Sequence, residues 1–101
     1  MSTSVVTPRA ETRSRTERPK TYRVLLLNDD YTPRHFVVSV LRAVFRMTTS
    51  EAEGVMLTAH QRGLCVVAVY TREIAETKAS QAVEMASDEG YPLLFTTEPE
   101  A

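Results

Sequence analysis

The spacing of apolar residues changes repeatedly along this chain, and each change marks an element. Tyr22-Arg-Val-Leu-Leu-Leu27 is a short, nearly continuous apolar run that stops at Asn28-Asp29-Asp30, as a buried strand ending in a polar turn does. The spacing then lengthens. Phe36, Val37, Val40, Leu41, Val44 and Phe45 recur at helical intervals and share one broad face. Thr32 is the expected N-cap of this helix, with Pro33 at its first position, where the missing N–H costs nothing. A second helix is predicted from Thr48-Thr-Ser-Glu-Ala-Glu53, which holds two overlapping capping-box patterns, Thr48 with Glu51 and Ser50 with Glu53. Gly63 is its expected C-terminal cap.

Leu64–Tyr70 is β-prone and apolar throughout and reads as a central strand. Thr71 is the expected cap of a third helix, whose Ala75, Ala79, Ala82, Val83 and Ala86 form a close-packing stripe. Gly90 ends that helix, and Leu93–Thr97 supplies the last strand. The predicted order is β-α-α-β-α-β, a small sheet with helices on it, in the α+β class.

Composition narrows the function. At 101 residues with 43% hydrophobic content, the chain has material for one small domain. Its single cysteine, Cys65, excludes an internal disulfide framework, and no Cys/His pairing has zinc-ligand spacing. No apolar run approaches the roughly 18 residues of a membrane span, and no signal-peptide core is present, so a reducing, cytoplasmic setting is expected. The formal net charge of -1 conceals an asymmetry. Residues 1–20 carry five basic against two acidic side chains, whereas residues 21–101 carry seven basic against eleven acidic. The first segment, rich in Ser, Thr, Pro and Arg, cannot bury enough surface to offset its ordering entropy, so a disordered basic extension is expected over 1–20 and a folded core over 21–101. An acidic body is a poor nucleic-acid binder.

Two features carry candidate chemistry. Asn28, Asp29 and Asp30 place three oxygen-bearing side chains between a strand and a helix, an arrangement suited to a cation or an amine. Asx residues also form turns and cap helices, which is the alternative use of the same sequence. In the second helix Met56, Ala59 and His60 share one edge, although a histidine in a last helical turn also complements the helix dipole. Catalysis finds little support. Cys65 lies in an apolar strand with nothing to stabilise a thiolate, so a Cys65–His60 nucleophile pair is not expected. Asp29 and Asp30 are adjacent rather than set across a cleft, and a metal site of Asp29, Asp30 and His60 lacks a ligand-spacing motif. No enzyme, no metal and no cofactor is expected.

Taken together, Asn28-Asp29-Asp30-Tyr31-Thr32-Pro33, Phe36-Val37, Met56-x-x-Ala59-His60, Glu73-x-Ala75-Glu76-Thr77-Lys78 and Pro92-Leu93-Leu94 resemble the ClpS family, over residues 22 to about 97. ClpS proteins are adaptors that bring N-degron substrates, proteins marked by their first residue, to the bacterial ATP-dependent Clp protease. The resemblance implies a three-stranded antiparallel sheet packed by three helices, substrates beginning with Leu, Phe, Tyr or Trp, and no catalysed reaction. Residue by residue, it implies that Asn28, Asp29 and His60 bind the terminal amine and that Asp30 and Thr32 contact the peptide backbone. The first side chain would enter a pocket of Thr32, Val37, Met56, Ala59 and Leu93, with Arg34 at its lip. It further implies that Glu73, Glu76 and Lys78 meet the N-terminal domain of the ClpA unfoldase, that the adaptor acts as a monomer, and that residues 1–20 are offered to the unfoldase during delivery.

The chemistry is consistent with such a site. An N-terminal ammonium has three N–H donors, and His60 must be neutral to offer it an acceptor nitrogen. Each charge-assisted hydrogen bond contributes about 1.5–3 kcal/mol, and burying a Leu or Phe side chain about 1.5–3 kcal/mol. Two residues depart from the family's habit: Arg34 stands where Met is common, and Ala59 where Val is common. The order of preference among first residues is therefore open. The alternative reading is a non-catalytic scaffold, or a small ribosome- or nucleic-acid-associated α+β domain that uses its basic extension.

Overall fold

The computed structural model describes residues 19–101. The expected disordered extension over 1–20 lies outside the described residues, apart from exposed Pro19 and Lys20. Six elements follow: β1 (Thr21–Leu27), α1 (Arg34–Phe45), α2 (Thr49–Arg62), β2 (Leu64–Thr71), α3 (Arg72–Asp88) and β3 (Leu94–Pro99). The sheet is antiparallel with order β2-β1-β3, so the α+β fold and the β-α-α-β-α-β order are as expected.

The central strand is β1, not Leu64–Tyr70, which forms the edge. Part of the apolar run of β2 has a local cause. Its register against β1 shifts between Val24 and Leu25, leaving Val67 as an extra residue, so Val67 and Ala68 both pack against the core. Such a bulge breaks the period of two and makes an edge strand resemble one buried on both faces. Leu64, Val66 and Val69 remain exposed on it.

Helix α1 begins one residue later than expected. Pro33 is its N-cap and has no side-chain group to cap with, while the Thr32 hydroxyl, expected to cap, donates to Asp29 instead. Helix α2 starts with a complete capping box, Glu51 N–H to Thr48 Oγ1 at 3.1 Å and Thr48 N–H to Glu51 Oε1 at 2.9 Å, so the first of the two overlapping patterns is the one used. Thr71 is the N-cap residue of α3, but its side chain makes no capping bond. Helix α3 closes through Gly90 at φ 82°, with Tyr91 N–H bonded to Ala86 O and Gly90 N–H to Ser87 O, a Schellman arrangement.

The core lies between the helices and one face of the sheet. Val24, Leu26, Val40 and Leu41 are its fully enclosed large side chains, and Phe45 stacks on Phe95 with ring centroids 5.5 Å apart. Ala75, Ala79, Ala82 and Ala86 of α3 are all buried, and their small size lets a long helix lie close to its neighbours. Val83, expected in the same stripe, is half-buried at its margin.

Two helix ends differ in the residue that meets the left-handed backbone. Gly63 closes α2 at φ 93°, where a side chain would be strained, whereas α1 ends on Arg46 at φ 57° and ψ 33°. An L-residue in that region costs about 1–2 kcal/mol, which glycine avoids. Arg46→Gly should therefore stabilise the fold by about 0.5–1 kcal/mol after the greater entropy of unfolded glycine, and Gly63→Ala should destabilise it by about 1–2 kcal/mol, as chemical denaturation would measure.

Candidate functional site

The three strands end or begin together at one edge of the fold. Leu27, the last residue of β1, pairs with Leu64 at the start of β2 and with Leu94 at the start of β3. Asn28 N–H donates to Gly63 O at 3.0 Å, tying the end of β1 to the turn that closes α2. The last turn of α2, the first residue of α1 and Leu93 are thereby brought around the segment 28–33, and a cavity of about 310 Å³ opens among them. That volume is at the small end of ligand pockets and suits a single residue rather than a large cofactor.

Asp29 organises the polar wall. Its Oδ1 accepts from Tyr31 N–H at 2.8 Å and Thr32 N–H at 2.7 Å, and its Oδ2 accepts from Thr32 Oγ1 at 3.0 Å. A carboxylate has about four acceptor sites, so three are used within the turn and capacity remains for a further donor. Among the described residues no side-chain hydrogen bond engages Asn28, Asp30 or His60, and all three are exposed at the cavity. The opposite wall is hydrocarbon: Val37, Ala59 and Leu93 are buried, and Met56 is half-buried beside them. A cavity with acceptors and negative charge on one side and an apolar floor on the other can take an amine that carries an apolar side chain.

Every residue assigned from the sequence to amine, backbone or side-chain contact lines this one cavity, from Asn28 through Arg34 to Leu93. Sequence reading missed Leu26 and Leu27, Tyr31 and Pro33, which line it as well. Leu26 gave no separate signal, because its inward position on β1 was already accounted for by the core. Tyr31 offered one: it is a large aromatic held between two polar residues, and it is 81% exposed.

The other set of predicted residues lies on α3. Glu73 and Glu76 are exposed, and Glu76 pairs with Arg72 at 3.3 Å. Lys78 is half-buried, and its ammonium donates to Val44 O at 2.9 Å, holding α3 to the last turn of α1. A cation at a helix C-terminus is electrostatically favourable there, so Lys78 has a structural role whatever else it touches.

Comparison with known proteins gives consistent matches. The family model described as "ATP-dependent Clp protease adaptor protein ClpS" matches residues 17–96. An ATP-dependent Clp protease adapter protein ClpS 1 of Bradyrhizobium diazoefficiens is 56% identical over 99% of both chains. A protein of the same description from Rhodopseudomonas palustris is 61% identical over 91% of this chain and 89% of its own. Among solved structures, Agrobacterium tumefaciens ClpS2 bound to L-phenylalaninamide is 59% identical, with a TM-score of 0.81 over 82% of this chain and 100% of that one. None of these matches favours the scaffold or nucleic-acid reading.

Cys65 stands apart from the cavity. It lines a separate groove between α1 and α2 that also contains Met47 and Thr58, whereas His60 lines the cavity described above. Burial pushes its thiol above the usual cysteine range, outweighing the nearby Arg62 charge and the Thr58 hydroxyl. Only the thiolate is nucleophilic. Alkylation of Cys65 by iodoacetamide at pH 7.4, followed by mass spectrometry, should therefore run slower than that of free cysteine, and its rate should still be rising with pH where that of free cysteine has levelled off.

Proposed function

The chain belongs to the ClpS family of ATP-dependent Clp protease adaptors, which are not enzymes, and on that premise we propose that it captures proteins by a free N-terminal Leu, Phe, Tyr or Trp and delivers them to the ClpA–ClpP protease in the bacterial cytoplasm. The observation that carries the proposal is the pairing, in one cavity, of an acceptor-rich wall with an apolar one. The ligand of the Agrobacterium relative supports it. An amino-acid amide has a free amine, one side chain, and an uncharged carbonyl group where a protein chain would continue.

In this reading the ammonium sits on Asn28, Asp29 and His60, with His60 in its neutral form so that a ring nitrogen can accept. Asp29 contributes its charge and its remaining acceptor capacity, while its other bonds hold the wall in place. Asp30 and Thr32 meet the first peptide group. The side chain fills the space between Val37, Met56, Ala59 and Leu93, where unbranched, polarizable Met56 can adapt to aliphatic or aromatic shapes. Recognition is thus a sum of modest terms, and it needs no bond to be made or broken. The adaptor works as a monomer, and residues 1–20 are the segment presented to the unfoldase.

Docking to the N-terminal domain of ClpA is assigned to the solvent side of α3, through Glu73, Glu76 and Lys78. Glu73 and Glu76 face water three residues apart and can meet a basic surface without disturbing the core. Lys78 is the less clean probe, since removing it also leaves Val44 O without its partner.

Two measurements test these roles separately. In fluorescence-anisotropy titration, peptides beginning with Leu or Phe should bind wild type, their acetylated forms should not, and Asp29→Ala or His60→Ala should weaken binding roughly 10- to 100-fold. Equal, weak binding of free and acetylated peptides would remove the N-terminus reading. A Glu73→Lys, Glu76→Lys double variant should keep its peptide affinity within about twofold and lose most stimulation of N-degron degradation by ClpA–ClpP, because like charges now face the docking surface.

A further inference from the structure

The mouth of the cavity holds a cation that pairs with nothing among the described residues. Arg34 is the first residue of α1; it is exposed, it lines the cavity, and no carboxylate of the described residues lies within ion-pairing distance of it. By contrast, Arg23 is paired with Glu98 at 3.1 Å and Arg72 with Glu76 at 3.3 Å. The lack of a partner for Arg34 is notable because two carboxylates line the same cavity. Asp29 uses three of its acceptor positions within its own turn, and neither it nor Asp30 forms an ion pair with Arg34.

We propose that Arg34 reads the second residue of a bound chain and favours Asp or Glu there. The inference rests on the cavity being an N-terminus site. With the first side chain inside and the amine on the polar wall, the chain must leave across the mouth, and its second side chain passes within reach of the guanidinium. Arginine suits this role, because its long stem can follow a partner and its planar fork meets a carboxylate through two parallel N–H bonds. Asp30 carries the opposite charge, but in the N-terminus reading it meets the first peptide group and not the second side chain. A different use of Arg34, as a hydrocarbon lid or a cation stacked on an aromatic first residue, would make it sensitive to the first position and indifferent to the second.

The test uses peptides that differ only at their second residue, beginning Phe-Glu, Phe-Ala or Phe-Lys, titrated against the full chain and against Arg34→Gln. Wild type should bind Phe-Glu about two- to fivefold tighter than Phe-Ala, with Phe-Lys weaker still, as expected for an exposed ion pair. The spread should shrink at about 0.5 M salt, since exposed charges are screened, and it should collapse in Arg34→Gln. A flat series in wild type, a series that survives Arg34→Gln, or a variant that weakens all three peptides equally would each overturn the assignment. The Phe-Ala peptide keeps the two ideas separable: if it fails to bind, or binds as well when acetylated, the N-terminus reading itself falls. If it binds normally while the series is flat, only the role of Arg34 falls.

Discussion

One carboxylate holds the functional end of this molecule together. The chain must leave the central strand at Leu27 and enter α1 at Arg34, and the six residues between have no regular ladder to satisfy their backbone donors. Asp29 meets the need by accepting from Tyr31 N–H, Thr32 N–H and the Thr32 hydroxyl. Bonds to an ionised acceptor are stronger than neutral ones, so the turn is pinned by the group that also brings negative charge to the cavity. The turn and the charge of the cavity wall are coupled at this residue. Any change that frees the carboxylate for a ligand by breaking its turn also moves Asn28, Asp30 and Thr32.

The rest of the site is an extension of the core. Val37, Ala59 and Leu93 are buried whether or not a ligand is present, and each belongs to the same apolar cluster as Val24 and Leu26. The walls are therefore held by the packing that stabilises the fold, and the pocket requires no separate scaffold. Its position follows from topology. Because β1 lies in the middle and runs antiparallel to both neighbours, its end coincides with the starts of β2 and β3. Asn28 and Gly63 then draw the last turn of α2 against that edge. Binding at such a cavity would depend on preorganised acceptors and on filling its apolar side, with no moving part required.

The same economy appears in α3. One side carries four buried alanines that bring the helix close to the core, and Lys78 fastens it to the end of α1. The remaining surface is exposed and largely polar, with Ile74 as its one large exposed apolar side chain. The helix thus separates the side that stabilises the fold from the side exposed to solvent, with Glu73 and Glu76 on the latter.

Much of this was legible in the residues alone. Helical spacing in Phe36–Phe45, the Thr48–Glu51 box, and glycines at 63 and 90 are local signals, and local backbone chemistry decides them in the fold as in the sequence. The polar cluster at 28–30 and the Met56–Ala59–His60 edge could each be marked as unusual, and their family resemblance joined them. Other features could not be read along the chain. Leu64–Tyr70 looks central because its apolar run is continuous, yet a bulge and pairing with a single strand make it the edge. Thr32 looks like a helix cap, yet its hydroxyl bonds to Asp29 and not to the first helical turn. Lys78 looks like a surface charge, yet its ammonium donates to a carbonyl 34 residues away. Which elements form, and to within a residue or two where they lie, can be read from residue order, because propensity, capping and periodicity act over a few residues. Strand order, the partner of each polar group and the cavity itself emerge only in three dimensions, because they depend on contacts between segments whose separation along the chain says nothing of their distance in space.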